Sequence, residues 1–396
     1  MLSRHSNEIL AAMPEGRLVA VDLLRGLAIA AMVVVNNPGS WSHVYAPLAH
    51  AEWHGWTPTD VIFPLFLFVV GLSLVLANGD RREFPAVGRR QWSRALKLFA
   101  LGLLLAVFFY NFRDADYNWL RDRLERIRWL GVLQRIALVY IICCYLLRWC
   151  SPRGLLVATL TLAIAPWLLM LWVPYSDGAG EIFRGQLSFG NHFSAWLDQA
   201  ILGSTHVYYR TAQPFAFDPE GLLTTLPAAA TCLLGVLAGL GWRASSQSPA
   251  AKTRLAAYWL LGGLVLLALG QLLHPWVPVN KALWSPSFVA VTGGVSLILL
   301  AGCFYLADIR GQRRALAPLL VFGINAIALF MLAGIVGRLL IAIPVGDLSL
   351  KQWLFNGVYR PLFGGYGGSL AFALSCLAIF YGALWQLYRR RIIWKV

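Results

Sequence analysis

About ten apolar runs, each close to the roughly 20 residues a helix needs to cross a bilayer, constrain this chain more than any motif does. They lie at approximately 18–37, 60–77, 94–110, 130–147, 154–173, 221–241, 255–273, 285–306, 316–341 and 367–388. Within hydrocarbon every backbone N–H and C=O must find a partner inside the protein, so runs of this length are helices. The expectation is an all-α integral membrane protein, a polytopic bundle of about ten transmembrane helices. Composition agrees: 59% of residues are hydrophobic and 13% charged, against about a quarter charged in a soluble domain. There is no internal repeat or linker. The chain reads as a polar segment 1–17, one membrane domain 18–388 and a basic tail 389–396.

A net charge of +15 on 396 residues invites a nucleic-acid reading, but the cations sit in short clusters between apolar runs. That is the positive-inside pattern rather than a basic face, and nucleic acid is excluded as a partner. Arg4 and Arg17, the loops near 78–97, 148–153, 242–254 and 310–314, and the tail together hold most of the 33 Lys and Arg. Both termini are therefore expected in the cytoplasm. On the other side, five arginines between Arg113 and Arg128 alternate with Asp114, Asp116, Asp122 and Glu125 in an expected surface helix. The first apolar run has no small-residue cleavage site after it and reads as a retained helix. The six Cys fall in or beside apolar runs and read as small buried hydrophobes, with no disulfide framework and no metal site.

The chemistry-bearing residues gather around AHAEWHGWTPTDVIFPLFLFVVG, residues 49–71. His50, Trp53, His54, Trp56 and Asp60 precede a run fit to enter a bilayer, and imidazole exchanges protons near neutral pH. Thr57, Pro58 and Asp60 make a helix start as N-cap, N1 and N3. Asp60 thus has a capping role, and orienting an imidazole is the functional alternative. In the first run Asp22 and Arg25 are three apart and can pair. Asn36, eleven residues after Arg25, returns to nearly the same face about 16 Å further on. Anchoring and capping the helix ends would account equally for this stripe. Gln134 and Arg135 enter the membrane region needing partners or a ligand, unless Arg135 snorkels to the interface. Asn325 is an intramembrane amide that needs a partner on another helix. His206 is a second candidate base in a long outer loop, and Asp218-Pro219-Glu220-Gly221 reads as a turn and helix start.

These pieces, in order, resemble the catalytic membrane domain of the heparan-alpha-glucosaminide N-acetyltransferase family. The stretches that carry the resemblance are VDLLRGLAIAAMVVVNN, HAEWHGWTPTDVIFPLFLFVVG, RIRWLGVLQRIALVY, WLDQAILGSTHVYY, FDPEGLLTTLPAAATCLLGVLAG, PVNKALWSPSFV and FGINAIALF, from about residue 17 onward. The resemblance implies acetyl-CoA as acyl donor, an amino-sugar acceptor, a catalytic His in a His-Ala-x-Trp-x-Gly context, which is His50 here, and an active-site Asn matching Asn36. It further implies a bacterial inner-membrane setting among lipid, and a possible homodimer. His54 stands where the human-type pattern has Asn, and no counterpart of that type's luminal N-terminal domain is expected. LLRGLAIAAMVVVN also resembles the first helix of a wider transmembrane acyltransferase superfamily, where a His often follows Arg at eleven residues. Asn36 occupies that place here, which leaves the base to His50.

Acetylation of an amine by a thioester needs the neutral amine, a base for its proton and a donor for the oxyanion. His50, Asn36 and Asp60 are the expected catalytic set, with attack by His50 itself as the rival route. Arg25 is the candidate for CoA phosphates, with Arg81, Arg82, Arg89 and Arg90 as alternatives. Trp53, His54, Gln134, Arg135, His206 and Asn325 complete the candidate binding set. An amino-sugar transporter without covalent chemistry is the alternative function, since some bacterial relatives carry that label.

Overall fold

The computed structural model describes residues 2–11, 18–77 and 87–394. The sequence-level assignments to residues 12–17, Arg81, Arg82 and Lys395 lie outside these, and the side chain of Arg4 is likewise undescribed. The apolar runs become helices: α1 Leu2–Ala11, α2 Val19–Asn36, α3 Pro58–Leu76, α4 Arg89–Val107, α5 Val132–Trp149, α6 Pro152–Trp172, α7 Phe193–Leu202 and α8 Thr225–Ala244. The chain continues through α9 Pro249–Leu273, α10 Pro286–Phe304, α11 Ala317–Ile324, α12 Ala326–Ala342, the short α13 Leu350–Leu354 and α14 Arg360–Arg389. Among the described residues eight helices are long and apolar enough to cross a membrane, and α11 with α12 makes a ninth, bent span. The remaining expected run is α4. It is helical, but Arg89, Arg90, Arg94 and Lys97 crowd its first half.

Close backbone approach holds the bundle centre together. A Cβ on Gly71 of α3 would lie 1.8 Å from the Cys232 carbonyl oxygen of α8, and one on Gly235 would lie 1.9 Å from that of Phe68. Small residues at such crossings let two helices exchange dispersion contacts along their length, which is what drives association where lipid is as apolar as leucine. Trp284 fills the space beside this crossing, fully buried, its indole N–H donating to Thr231 Oγ1 at 3.0 Å.

Two expectations need correction. The run 316–341 is not one helix: it breaks at Asn325, and α11 and α12 meet at 78°. The charged stretch 113–128 is not a surface helix either. Only Leu120–Leu124 coils, as one wide turn, and the rest is loop. The cause lies at its end, where Arg128 leaves the alternation to pair with Asp218 and Glu220.

The segment between α6 and α8 forms a compact layer at one end of the bundle. Two minimal hairpins, Tyr175–Ser176 with Ile182–Phe183 and Leu187–Ser188 with Asn191–His192, lead into α7. Tyr175, Phe215 and Phe217 are buried there, with Phe183 and Phe193 packed against them. The loop before α3 is clamped to the same end of the bundle.

Candidate active site

The loop from Ala46 to Thr57 is tied to the start of α3 by local hydrogen bonds. Thr57 Oγ1 donates to the Ala49 carbonyl at 2.6 Å and Thr59 Oγ1 to that of Pro47 at 3.1 Å. Asp60, fully buried, performs both tasks the sequence left open. Its Oδ2 accepts from the backbone N–H of Thr57 at 3.0 Å and of Ala51 at 3.1 Å, which caps the helix. Its Oδ1 accepts from Nδ1 of His50 at 2.6 Å. The carboxylate therefore fixes the tautomer: the proton resides on Nδ1, and Nε2 keeps its lone pair. The His50 side chain is 50% exposed, enough to meet a substrate.

A third group completes this corner. Lys281, from the loop between α9 and α10, places Nζ 3.4 Å from Asp60 Oδ1 and 3.1 Å from His50 Nδ1. Burial pulls its ammonium below the usual lysine range, while Asp60 and Glu220 pull the other way. Next to it, Asn280 Nδ2 donates to the Trp53 carbonyl at 2.9 Å and faces His54 Nδ1 at 3.3 Å. Burial, and then His274, hold His54 below the ordinary imidazole value. Its Nδ1 is thus an acceptor occupied within the protein.

His50, Lys281, Glu220 and Asn36 open onto one cavity of about 1580 Å³. Pockets for drug-sized ligands measure roughly 300–1,000 Å³, so this space has room for a longer ligand or for two. Its course follows helix periodicity. Thr59, Ile62, Phe66, Val69, Ser73 and Ala77 of the α3 segment line it, a stripe about 27 Å long at 1.5 Å per residue. That is close to the hydrocarbon thickness of a bilayer. Arg25, Ile29, Met32 and Asn36 line the facing side from α2, so the stripe read from the sequence faces an internal space at both of its ends. At the end opposite His50 the wall is cationic, with Arg89, Arg90, Arg94 and Lys97 beside Ile393 and Trp394.

The other sequence candidates are distributed as follows. Arg25 reaches the cavity while bound to Asp22 at 3.2 Å and Ser73 at 2.9 Å. Asn36 is exposed to the cavity, and the neighbouring Asn37 instead turns its amide back to the Val33 carbonyl at 2.8 Å. Trp53 points into the outer layer, its N–H on the Leu187 carbonyl at 2.8 Å and its ring against His192. Gln134 is buried against Gly102, where a Cβ would lie 2.2 Å from Oε1. Arg135 does not snorkel: it is fully buried, donates to Gly221 O and Thr224 Oγ1, and lies over Trp284. His206 binds the Ile127 carbonyl at 2.7 Å beside Trp129, away from the cavity wall. Asn325 is at the α11–α12 break. Among the described residues no group of His, Cys, Asp and Glu is arranged to hold a metal.

Behind Glu220 is a buried charge cluster. Arg128 grips Asp218 at 2.6 and 2.7 Å and also pairs with Glu220. Burial raises the Asp218 carboxyl, and Arg128 counters it. Asp198, in α7, accepts from the backbone of Leu222 at 2.9 Å and of Asp218 at 3.3 Å, yet burial pushes its pKa up to about 7. Lys281, Asn280 and this cluster escaped the sequence reading. PVNKALWSPSFV holds a Lys and an Asn where a membrane loop returns inward, and a cation between two apolar runs on a cation-poor side was the available signal.

The family model for heparan-alpha-glucosaminide N-acetyltransferase, catalytic, matches residues 17–272, well over half of the chain. The chain belongs to that family. It is 27% identical to the human heparan-alpha-glucosaminide N-acetyltransferase over 367 residues, which is 81% of this chain and 53% of the human protein. It is also 27% identical to the mouse protein of the same name over 363 residues, 80% of this chain and 53% of that one. The chain thus spans about half the length of the curated relatives it matches. Most of the cavity wall and the His50–Asp60 pair fall inside the family match, while Lys281, Asn325 and Trp394 fall beyond it.

Proposed function

We propose that this protein is a membrane-spanning acetyltransferase that moves an acetyl group from acetyl-CoA to the amine of a glucosamine-type sugar. What supports the reading is the cavity: a proton acceptor at one end, a cationic wall at the other, and about one bilayer core between them. The donor enters at the α4 end, with its phosphates among Arg89, Arg90, Arg94 and Lys97 and its acyl end directed toward His50. By the positive-inside rule that end and both termini are cytoplasmic. The membrane we assign is a cell inner membrane, with the acceptor sugar outside.

The acceptor binds as its neutral amine at the His50 end. Nitrogen attacks the thioester carbon, a C–N bond forms, and the carbonyl electrons move onto oxygen. The Asn36 amide N–H donates to that oxyanion. His50 Nε2 takes the proton from nitrogen, and Asp60 holds the imidazolium that results. Collapse of the intermediate breaks the C–S bond, CoA leaves as thiolate, and the proton passes from His50 to sulfur. Direct transfer uses His50 first as a base and then as an acid, and never as a nucleophile.

Purified protein given radiolabelled acetyl-CoA and glucosamine is expected to form N-acetylglucosamine. His50→Ala is expected to lower kcat by about 10²–10⁴-fold, the usual worth of a general base, with an unchanged melting temperature. Saturable sugar uptake into proteoliposomes that needs neither acetyl-CoA nor His50 would replace the enzyme by a carrier.

A further inference from the structure

After α14 the chain turns back on itself, and two hydrogen bonds clamp residues 392–394 to the break between α11 and α12. Asn325 Nδ2 donates to the Ile392 carbonyl at 3.0 Å, and Asn325 Oδ1 accepts from the Trp394 N–H at 2.9 Å. One amide thus satisfies an acceptor and a donor of the same strap, as a neighbouring strand would. The clamp carries Ile393 and Trp394 to the cavity wall. Trp394 remains 44% exposed, a large flat ring on the wall of the cavity that Arg89, Arg90, Arg94 and Lys97 also line. In the same lining, the Arg94 guanidinium lies 5.0 Å over the Tyr140 ring, which holds it on the cavity wall.

An indole face in one cavity with several guanidinium and ammonium groups has a definite chemical complement: a planar base joined to phosphates. Arginine and lysine take the phosphates, and stacking on an aromatic side chain takes the base. A fatty-acyl chain or a neutral sugar has no use for the cations, and inorganic phosphate has none for the indole. We infer that the strap at Ile392–Trp394, pinned by Asn325, forms the nucleotide-base subsite of the donor channel, with Trp394 as its stacking platform. This rests on the acetyl-CoA reading above and assigns Trp394 a role in choosing among donors.

The test compares acetyl-CoA with S-acetyl-pantetheine, which keeps the thioester and lacks the nucleotide. Trp394→Ala is expected to raise KM for acetyl-CoA about tenfold, in line with the loss of one base–aromatic stack, while KM for S-acetyl-pantetheine moves less than twofold. Asn325→Ala, which frees the strap, is expected to show the same donor-selective rise, and Trp394→Phe to keep most of the affinity. If the alanine variant does not fold, Trp394→Leu, which keeps an apolar side chain but no stacking face, serves in its place. Equal changes for both donors, or none for either, overturn the inference. Absence of transfer from either donor by the unaltered protein would instead overturn the acetyltransferase reading.

Discussion

Lys281 has no precedent in the local pattern around His50, yet it changes what that histidine can do. Asp60 is buried, and among the described residues loss of Lys281 would leave His50 as the one basic side chain paired with its carboxylate. It would then draw a proton onto the ring, which needs its Nε2 lone pair free. Lys281→Met is therefore expected to lower kcat at neutral pH by about fivefold, for an interaction of about 1 kcal/mol between charges at this separation. The lost activity should return as pH rises, and KM for acetyl-CoA should stay as it was. A rate lowered equally at every pH would mean that Lys281 only packs the loop. The His50–Asp60 pair was legible in the sequence because capping is local: Thr57, Pro58 and Asp60 announce a helix start, and His50 is ten residues away. The Arg25–Asn36 stripe was legible through helical periodicity. Lys281 was not, because only tertiary packing brings it across from the α9–α10 loop.

At the scale of elements, the outer layer between α6 and α8 shows where periodicity stops informing. It is assembled from aromatic rings on loops and hairpins of two residues per strand, with no repeat for a pattern to find. Its stability has a pH dependence of a particular shape. Burial lowers His192 to about 3 from an ordinary value of 6.5. The unfolded chain therefore takes up a proton below 6.5 that the folded one refuses, and stability falls as pH drops toward 3. Burial chiefly raises Asp198 to about 7 from 3.8, against two backbone N–H groups and Arg135. The folded chain keeps a proton that the unfolded one has lost, so this contribution falls as pH rises from 3.8 to 7. Between about 4 and 6.5 the two slopes oppose, each up to about 1.4 kcal/mol per pH unit. His192→Asn, which preserves the N-cap to Ala195, is expected to give a melting temperature in detergent that falls from pH 4 to 7. Asp198→Asn is expected to give one that rises toward pH 6.5. Parallel slopes in the two variants would show that neither group controls the layer. The broken span α11–α12 was invisible for a different reason: FGINAIALF is apolar on both sides of its single amide, and only the strap that Asn325 binds explains the bend.

Across the whole molecule, the least apolar of the expected spans becomes the most informative helix. The sequence predicts a membrane run over 94–110; the helix that forms is Arg89–Val107, and the cations in its first half face an internal cavity rather than lipid. Polar side chains within a bundle are tolerated when they line such a space. The cavity therefore has two chemically different ends separated by about a membrane's thickness, and a sidedness experiment reads that polarity directly. In proteoliposomes of one orientation, acetyl-CoA, too highly charged to cross lipid, is supplied either on the face carrying the start of α4 or on the face carrying the outer layer. Glucosamine is supplied on both. Labelled N-acetylglucosamine is expected only when acetyl-CoA is on the α4 face, and it should accumulate in the opposite compartment. Detergent added to open the vesicles should abolish the difference. A narrower bore gives the same answer by another route: Val70 of α3 borders the cavity part-way along, and Val70→Trp should slow transfer from the α4 face at least tenfold without unfolding the bundle, because the added ring enters open space and not packed core. Equal product from either face would mean that donor and acceptor share one entrance, and the cationic wall would then need another ligand.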